Sequence, residues 1–396
     1  MLASPRPSSI EEATIRTNGV VDRVEVVALG PDLPRHAYTA HVAAPYTTST
    51  LVRITDADGV SGLGQFDSDS FGAFDLAPLE TLRTLAPRFL GKDPLEREVI
   101  WDEIRDHGTA PELPGVRSAL DIAMWDLEAR RTGVPLHRLL NPDGARGHLP
   151  AYASLPTLPS PAAYAAEIAR LKDGGYTAAK IHAWGDPDRD IAAIEAARAS
   201  AGDRMALIYD AEGCLDRRSA RGMLGPLADL GVRWFEAPLP DLDLEGYRSL
   251  RAGGHVPILP AGDAIWDPRL MTEVLRDPPW DAMRFDVTFA GGITSAVRLF
   301  AVADAFGMDV ELTSYGQTLV QAANLHVAVA FGRTTFFERA VPHEEFEFGV
   351  TTPIRMDASG NVEPSDAPGL GIELDDDQVA SVVLASFSVD RSSYRS

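Results

Sequence analysis

TAAKIH (177–182), MALIYD (205–210), VRWFE (232–236) and VPILPA (256–261) are four short apolar runs, each with a polar residue near or just beyond its C-terminal end. Helical patterns separate them, ending at Gly174, Gly202, Gly231 and Gly253, the usual glycine punctuation past a helix C-terminus. The same grammar extends both ways. PAYAS (150–154) precedes it, with Ser160-Pro161 as a clean helix start, and AMRFDV (282–287), MDVELT (308–313) and TFFE (335–338) follow, with Gly307 and Gly332 closing helices. The polar residues at the strand ends are Lys180, Asp210, Glu236, Asp263, Asp286, Thr313 and Glu338, spaced 30, 26, 27, 23, 27 and 25 apart. Each interval fits one strand plus one helix. With the strand at 150–154 this makes eight units, and eight repeats over 146–340 predict a closed (β/α)₈, TIM-type barrel in an α/β chain. An open doubly wound sheet is the competitor. It has fewer units and a glycine-rich phosphate turn after its first strand, which is missing here.

Upstream the order of elements changes. VVDRVEVVAL (20–29) reads as a strand, and TLVRIT (50–55) and VSGLGQ (60–65) flank the hairpin signal Asp56-Ala57-Asp58-Gly59. Helical patterns follow near 76–90, 95–108 and 115–133. Strands first and helices afterwards predict a small α+β capping domain over 18–145, preceded by a loose polar arm at 1–17. From Val341 the barrel pattern is lost. The tail, 341–396 with PGLGIELD at 368–375, is expected to return and complete the capping domain.

Composition narrows the class. The 396 residues suit two to three domains, or a large barrel with a satellite. The net charge of −22 repels phosphate backbones and anionic lipid, which argues against nucleic-acid and membrane partners and leaves a small ligand. Cys214 is the only cysteine, which excludes an internal disulfide or a cysteine-built metal cluster. With no signal-like or membrane-length apolar run, a cytoplasmic location is expected.

Barrel chemistry sits at the C-terminal ends of the strands. Asp210, Glu236 and Asp263 occupy three consecutive ends. Three converging carboxylates repel one another unless a hard cation sits among them, so they are the candidate ligands of Mg²⁺ or Mn²⁺. Lys180 and His182, two apart on one strand, point the same way and become the candidate bases. A nearby cation is expected to lower the lysine's pKa, and histidine titrates near ~6.5 unperturbed. Trp184, Glu212, Tyr315 and His343 are candidate mouth residues, and His36, His41 and Tyr46 candidate lid residues.

These residues resemble the mandelate racemase/muconate lactonising enzyme group of the enolase superfamily, from about residue 20 to 375. ALDIAMWDLEARRTGVPLHRLL (119–140) is similar to that group's link into the barrel, and Lys180-Ile181-His182 to its lysine–x–lysine. Asp210 in IYDAEG, Glu236 in WFEAPLP and Asp263 in PAGD match its metal acids, and DVTFAGGITSA and PGLGIELD match its sixth-strand segment and tail. The resemblance implies an Mg²⁺-dependent enzyme that removes the α-proton of a small carboxylate substrate to give a metal-stabilised enediolate. It also implies a homo-oligomer and a capping domain that selects the substrate. Two departures stand out. His182 replaces the second lysine, and the sixth- and seventh-strand aspartate–histidine dyad is half present, with Asp286 in place and Thr313 where histidine belongs. Unequal bases disfavour a two-base racemase and favour a lyase that dehydrates a sugar acid or related α-hydroxy acid. Lys180 or His182 would take the proton, Asp286 would complete the catalytic set, and Trp184, Glu212, Thr313, Tyr315 and Glu338 would contact substrate. A cycloisomerase or epimerase of similar acids, and a metal- and ligand-binding homologue without catalysis, are the alternatives.

Overall fold

The structure, a computed structural model, describes residues 19–39, 43–107, 114–143 and 146–393; the expected arm at 1–17 and His41 lie outside them. The capping domain begins with three antiparallel strands, β1 (Val21–Leu29), β2 (Tyr46–Asp56) and β3 (Ser61–Ser70). The Asp56 carboxylate closes the β2–β3 hairpin by accepting the Asp58 and Val60 N–H groups at 2.9 Å each, and Gly59 supplies the left-handed residue at φ +86°. Both strands run further than their apolar alternation indicated. The Ser/Thr-rich stretch 46–49 pairs with 67–70, which carries Asp69 out beyond the hydrophobic part of the sheet.

Helices α1 (Ala77–Leu85), α2 (Arg97–His107), α3 (Pro114–Thr132) and α4 (Leu136–Leu140) follow. α3 lies close on β3 because two strand positions have no side chain. A Cβ at Gly62 would stand 2.2 Å from the Ala123 carbonyl, and one at Gly64 2.0 Å from that of Ala119. Asp126 of α3 is fully buried and accepts the Leu63 N–H (2.8 Å), the Leu370 N–H (2.6 Å) and Arg130 Nε (2.8 Å), tying strand, helix and tail together.

The barrel then alternates strand and helix. β4 (Leu149–Leu155) is followed by α5 (Pro161–Asp173), β5 (Ala178–His182) by α6 (Pro187–Ala201), β6 (Ala206–Asp210) by α7 (Arg217–Asp229) and β7 (Val232–Glu236) by α8 (Leu244–Arg251). The second half runs β8 (Ile258–Leu259), α9 (Pro268–Val274), β9 (Ala282–Phe285), α10 (Ile293–Phe306), β10 (Asp309–Leu312), α11 (Thr318–Phe331) and β11 (Phe337–Ala340). The ladders β4 to β8 are parallel, and β11 pairs with β4 to close the ring. β8 is short because Pro257 and Pro260 flank it and donate no backbone hydrogen bond. Side chains carry the seams. Asp281 accepts the Ile258 N–H at 2.8 Å, while Glu311 accepts that of Thr335 (3.0 Å) and the Thr334 hydroxyl donates to the Val310 carbonyl (2.9 Å).

The tail adds β12 (Asn361–Val362) beside β4, then α12 (Asp376–Ser381) and β13 (Val383–Asp390), which pairs antiparallel with β1 in the capping sheet. The glycine-rich turn after β9 docks on the cap. The Gly291 carbonyl accepts Trp101 Nε1 (2.7 Å), its N–H donates to Ser118 Oγ (3.0 Å), and Thr294 is held by Asp121. Positive φ at Gly291 (+97°) and Gly292 (+93°) permits the approach. Among the described residues no helix is long and apolar enough to cross a membrane.

Candidate active site

The period of two along each barrel strand builds the site in layers. An apolar plug of Tyr152, Ala178, Ile208, Trp234 and Ala282 fills the barrel, with Phe336 packed against it. Two residues further along those strands stand Lys180, Asp210, Glu236, Arg284 and Glu338, all buried. Lys180 Nζ is 2.6 Å from Glu236 Oε1, 2.9 Å from Glu338 Oε1 and 3.0 Å from Asp210 Oδ2. Arg284 reaches Glu236 Oε1 (2.8 Å), Glu338 Oε2 (3.0 Å) and the Tyr152 hydroxyl (3.1 Å). Trp234 Nε1 donates to the other Glu236 oxygen at 2.9 Å. Thr313 Oγ1 and the Ser314 N–H donate to Glu338 Oε2, at 2.7 and 3.1 Å.

Next outward are His182 and Asp286, on the second and sixth barrel strands and so across the barrel from one another. His182 Nδ1 donates to the Leu155 carbonyl (2.6 Å), which leaves Nε2 facing Asp210 Oδ2 (3.1 Å) and Glu212 Oε1 (3.0 Å). Glu212 turns inward because its backbone is left-handed (φ +51°) and its N–H is held by Asp210 Oδ1 at 2.9 Å. Asp286 Oδ1 accepts the Thr288 N–H and hydroxyl, both at 2.6 Å, while its Oδ2 is buried without a partner.

These side chains open into one cavity of about 480 Å³, roofed by residues 36–39, 43, 45, 69 and 71 of the cap. It receives the expected Lys180, His182, Asp210, Glu212, Glu236, Asp263, Asp286, Thr313, Tyr315 and Glu338. Trp184 is not among them. The Gly185 turn (φ +74°) and the Asp190 carboxylate, which accepts the Trp184 and Gly185 N–H groups, swing its ring onto Tyr164 and under Arg189. Of the lid residues, His36 lines the cavity and is held by Glu345 at 2.6 Å, and Tyr46 lies in a neighbouring one under Arg35; His343, expected at the mouth, lines a separate groove.

The electrostatics are those of the metal-free site. Burial works against charge on His182, but the Asp210 charge and the hydrogen bonds that Nε2 donates to Asp210 and Glu212 prevail, and its pKa rises to about 10. Burial likewise opposes the Lys180 ammonium, and Glu236 and Glu338 hold it charged well above the lysine range. Without a cation among the carboxylates, both expected bases therefore carry protons. Asp286 goes the other way: burial raises it to about 7, against the hydrogen bonds from Thr288. Burial, then the charges of Asp241 and Glu212, raise Asp263 to about 6.

The donor set fits a hard divalent cation. Seven carboxyl groups line the cavity, Asp69, Asp210, Glu212, Glu236, Asp263, Asp286 and Glu338, against Lys180, His182 and His36. Among the described residues, the group whose ligand atoms all lie within 4.8 Å of one another is His182, Asp210 and Glu212. Asp210, Glu236 and Asp263 share the cavity without forming such a closed set. Lys180, Arg284 and Trp234 draw Glu236 down into the barrel. Asp263 rides on a loop that Asp241 shapes, its two oxygens accepting the N–H groups of Ala261, Gly262, Asp263 and Ala264 at 2.8–3.2 Å. Sequence reasoning missed both Asp241 and Arg284.

Comparison with known proteins agrees with this layout. A family profile described as the mandelate racemase/muconate lactonizing enzyme N-terminal domain matches residues 23–141, and one described as enolase C-terminal domain-like matches residues 163–378. A cis-3-hydroxy-L-proline dehydratase of Roseibium aggregatum is 28% identical over 337 residues, covering 82% of this chain and 87% of that protein. A 3,6-anhydro-α-L-galactonate cycloisomerase of Streptomyces coelicolor is 30% identical over 342 residues, covering 82% of this chain and 88% of that one. A crystal structure from Pseudovibrio, of a protein described as of the mandelate racemase/muconate lactonizing enzyme type, superposes with a TM-score of 0.90 at 34% identity, covering 94% of this chain and 99% of that one. With cap and barrel both matched, the chain belongs to the mandelate racemase/muconate lactonising enzyme group of the enolase superfamily.

Proposed function

We propose that the protein is a lyase that removes the α-proton of a small carboxylic acid and expels a β-hydroxyl as water, acting on a sugar acid or related α-hydroxy acid. The observation that carries this reading is the pairing of Asp286, whose Oδ2 is buried without a partner, against the inward-facing Nε2 of His182 across the barrel. Asp210 and Glu236, with Asp263 or Glu212, would hold Mg²⁺ or Mn²⁺. That cation would supply positive charge at the substrate carboxylate, which acidifies the α-hydrogen.

Asp286 Oδ2 takes the α-proton, the C–H electron pair is first held on the substrate's own carboxylate group, and in a second step it becomes the new C=C bond as the β-carbon–oxygen bond breaks. The Nε2 proton of His182 leaves with the hydroxyl as water, and the resulting enol returns to the keto acid. Thr288 fixes the Asp286 rotamer by holding Oδ1. Lys180, locked between three carboxylates, is a positioning residue rather than the base. Because acid and base stand on opposite strands, the two-sided arrangement favours anti elimination.

The same pairing is compatible with an isomerase, in which His182 returns its proton to the α-carbon. The relatives, a dehydratase and a cycloisomerase, span both outcomes. Incubation with Mg²⁺ and a panel of hydroxy acids in D₂O, read by mass spectrometry, separates them. A product lighter by one water supports the lyase. Deuterium gain without loss of water supports the isomerase. Exchange with no acid, despite metal-dependent thermal stabilisation by one, indicates binding without catalysis.

A further inference from the structure

The outer half of the cavity has a chemistry of its own. Tyr38 stands edge-on to His182 at 4.9 Å between ring centroids, and Tyr315 edge-on to Tyr38 at 5.3 Å, so aromatic rings lead outward from the reacting end. Phe71 and Phe289 continue the wall and face solvent, 61% and 36% exposed. Asp69 is the acid among these rings. The Thr47 hydroxyl donates to its Oδ1 at 2.7 Å, and no described residue forms an ion pair with it. The buried Tyr38 hydroxyl lies beside that of Tyr315.

Cations are missing from this half among the described residues. His36 is bound to Glu345 at 2.6 Å, Arg35 lies over the Tyr46 ring, and Lys180 is committed to the three carboxylates beneath it. A second substrate carboxylate would meet Asp69 and find no charge partner, which is strongly unfavourable. A chain of hydroxyls would meet ring faces. An ammonium group would meet a carboxylate set among aromatic rings, a lining that attracts a cation.

We propose that the outer half of this cavity is a subsite for an ammonium group, so that the substrate is a carboxylic acid with a protonated or alkylated amine at its far end rather than a diacid or a polyol acid. This rests on the reading that the inner half binds the reacting carboxylate, and it selects among the hydroxy acids named above.

Matched probes test it. In D₂O with Mg²⁺, 6-amino-2-hydroxyhexanoate is compared with its methyl isostere 2-hydroxyheptanoate, its dicarboxylate counterpart 2-hydroxyheptanedioate, and gluconate. The four-carbon series (4-amino-2-hydroxybutanoate, 2-hydroxypentanoate, 2-hydroxypentanedioate) runs alongside. Binding is read by thermal stabilisation and turnover by α-deuterium exchange. The ammonium member of at least one series is expected to bind at least tenfold tighter than its partners. Asp69→Asn should erase that preference, and Phe71→Leu, at an exposed ring, should reduce it independently of Asp69. Equal or tighter binding of a methyl, dicarboxylate or polyol probe, a preference that survives both substitutions, or no binding by any probe overturns the subsite. An ammonium preference in binding without exchange leaves the subsite standing and removes the lyase reading, whereas exchange without the preference does the reverse.

Discussion

Replacing Lys180 by methionine keeps the side chain's length and removes its charge. In the native protein that ammonium lies within 3.0 Å of oxygens of Asp210, Glu236 and Glu338, and it is 3% exposed. Breaking a buried pair by removing one partner costs about 3–5 kcal/mol, because the other charge stays behind. Here Arg284 still contacts Glu236 and Glu338, which favours the lower part of that range. At ~2.1 cal/mol/K per residue, a 396-residue chain unfolding as one unit has an unfolding entropy of about 0.8 kcal/mol/K, so Tm should fall by about 4–5 °C in metal-free buffer. The sign with pH is informative. The orphaned carboxylates gain raised pKa values in the variant, so lowering the pH from 7.5 to 5.5 protonates them and narrows the deficit. Added Mg²⁺ should narrow it as well. Calorimetric melts of both proteins at both pH values, with EDTA or with Mg²⁺, decide the matter. A deficit that is absent, or that is the same under all four conditions, refutes the reasoning.

Three further outcomes are expected. Asp241→Ala removes the acceptor of four backbone N–H groups on the Asp263 loop, and titration calorimetry should show Mg²⁺ affinity weakened about 10–100-fold, the usual cost of losing a group that orients a ligand. Asp126→Ala strips two buried N–H groups and Arg130 of their partner, which should cost about 3 kcal/mol in denaturant melts and speed amide exchange at Leu63 and Leu370. In the metal-free protein the His182 pKa is raised to about 10, so its stabilising contribution is whole below its unfolded value near ~6.5 and lost as pH rises through about 10. The stability gap between the native protein and His182→Gln should therefore shrink over that interval, and NMR should find the native imidazole protonated at pH 8.

Much of the architecture was written in local pattern. The recurring interval between strand-end residues exposed the barrel because each unit must bury one apolar strand and one amphipathic helix before the chain returns to the same rim. The alternation inside TAAKIH placed Lys180 and His182 on one side of β5, as found. Convergence across strands was not legible in the same way. The alternation in AMRFDV puts Arg284 on the side of Asp286, but nothing in it shows which acid the guanidinium meets, which in the structure is Glu236 and Glu338. Asp241 acts on backbone groups at 261–264, a contact over more than 20 residues that leaves no periodic trace. Trp184 was placed at the mouth by proximity to His182, and one left-handed glycine beside it reversed its direction. The charge states of the metal-free site were not legible for a related reason: a pKa depends on which carboxylates face the group, and His182 faces two.

The most direct test of the account is the fate of the substrate's α-hydrogen in the native protein, His182→Ala and Asp286→Asn, each incubated in D₂O with Mg²⁺ and acids that carry both an α- and a β-hydroxyl. The account predicts that the native protein yields a product one water lighter, that Asp286→Asn neither labels nor dehydrates, and that His182→Ala loses dehydration while washing out the α-hydrogen at a reduced rate. Full labelling and dehydration by Asp286→Asn would contradict it.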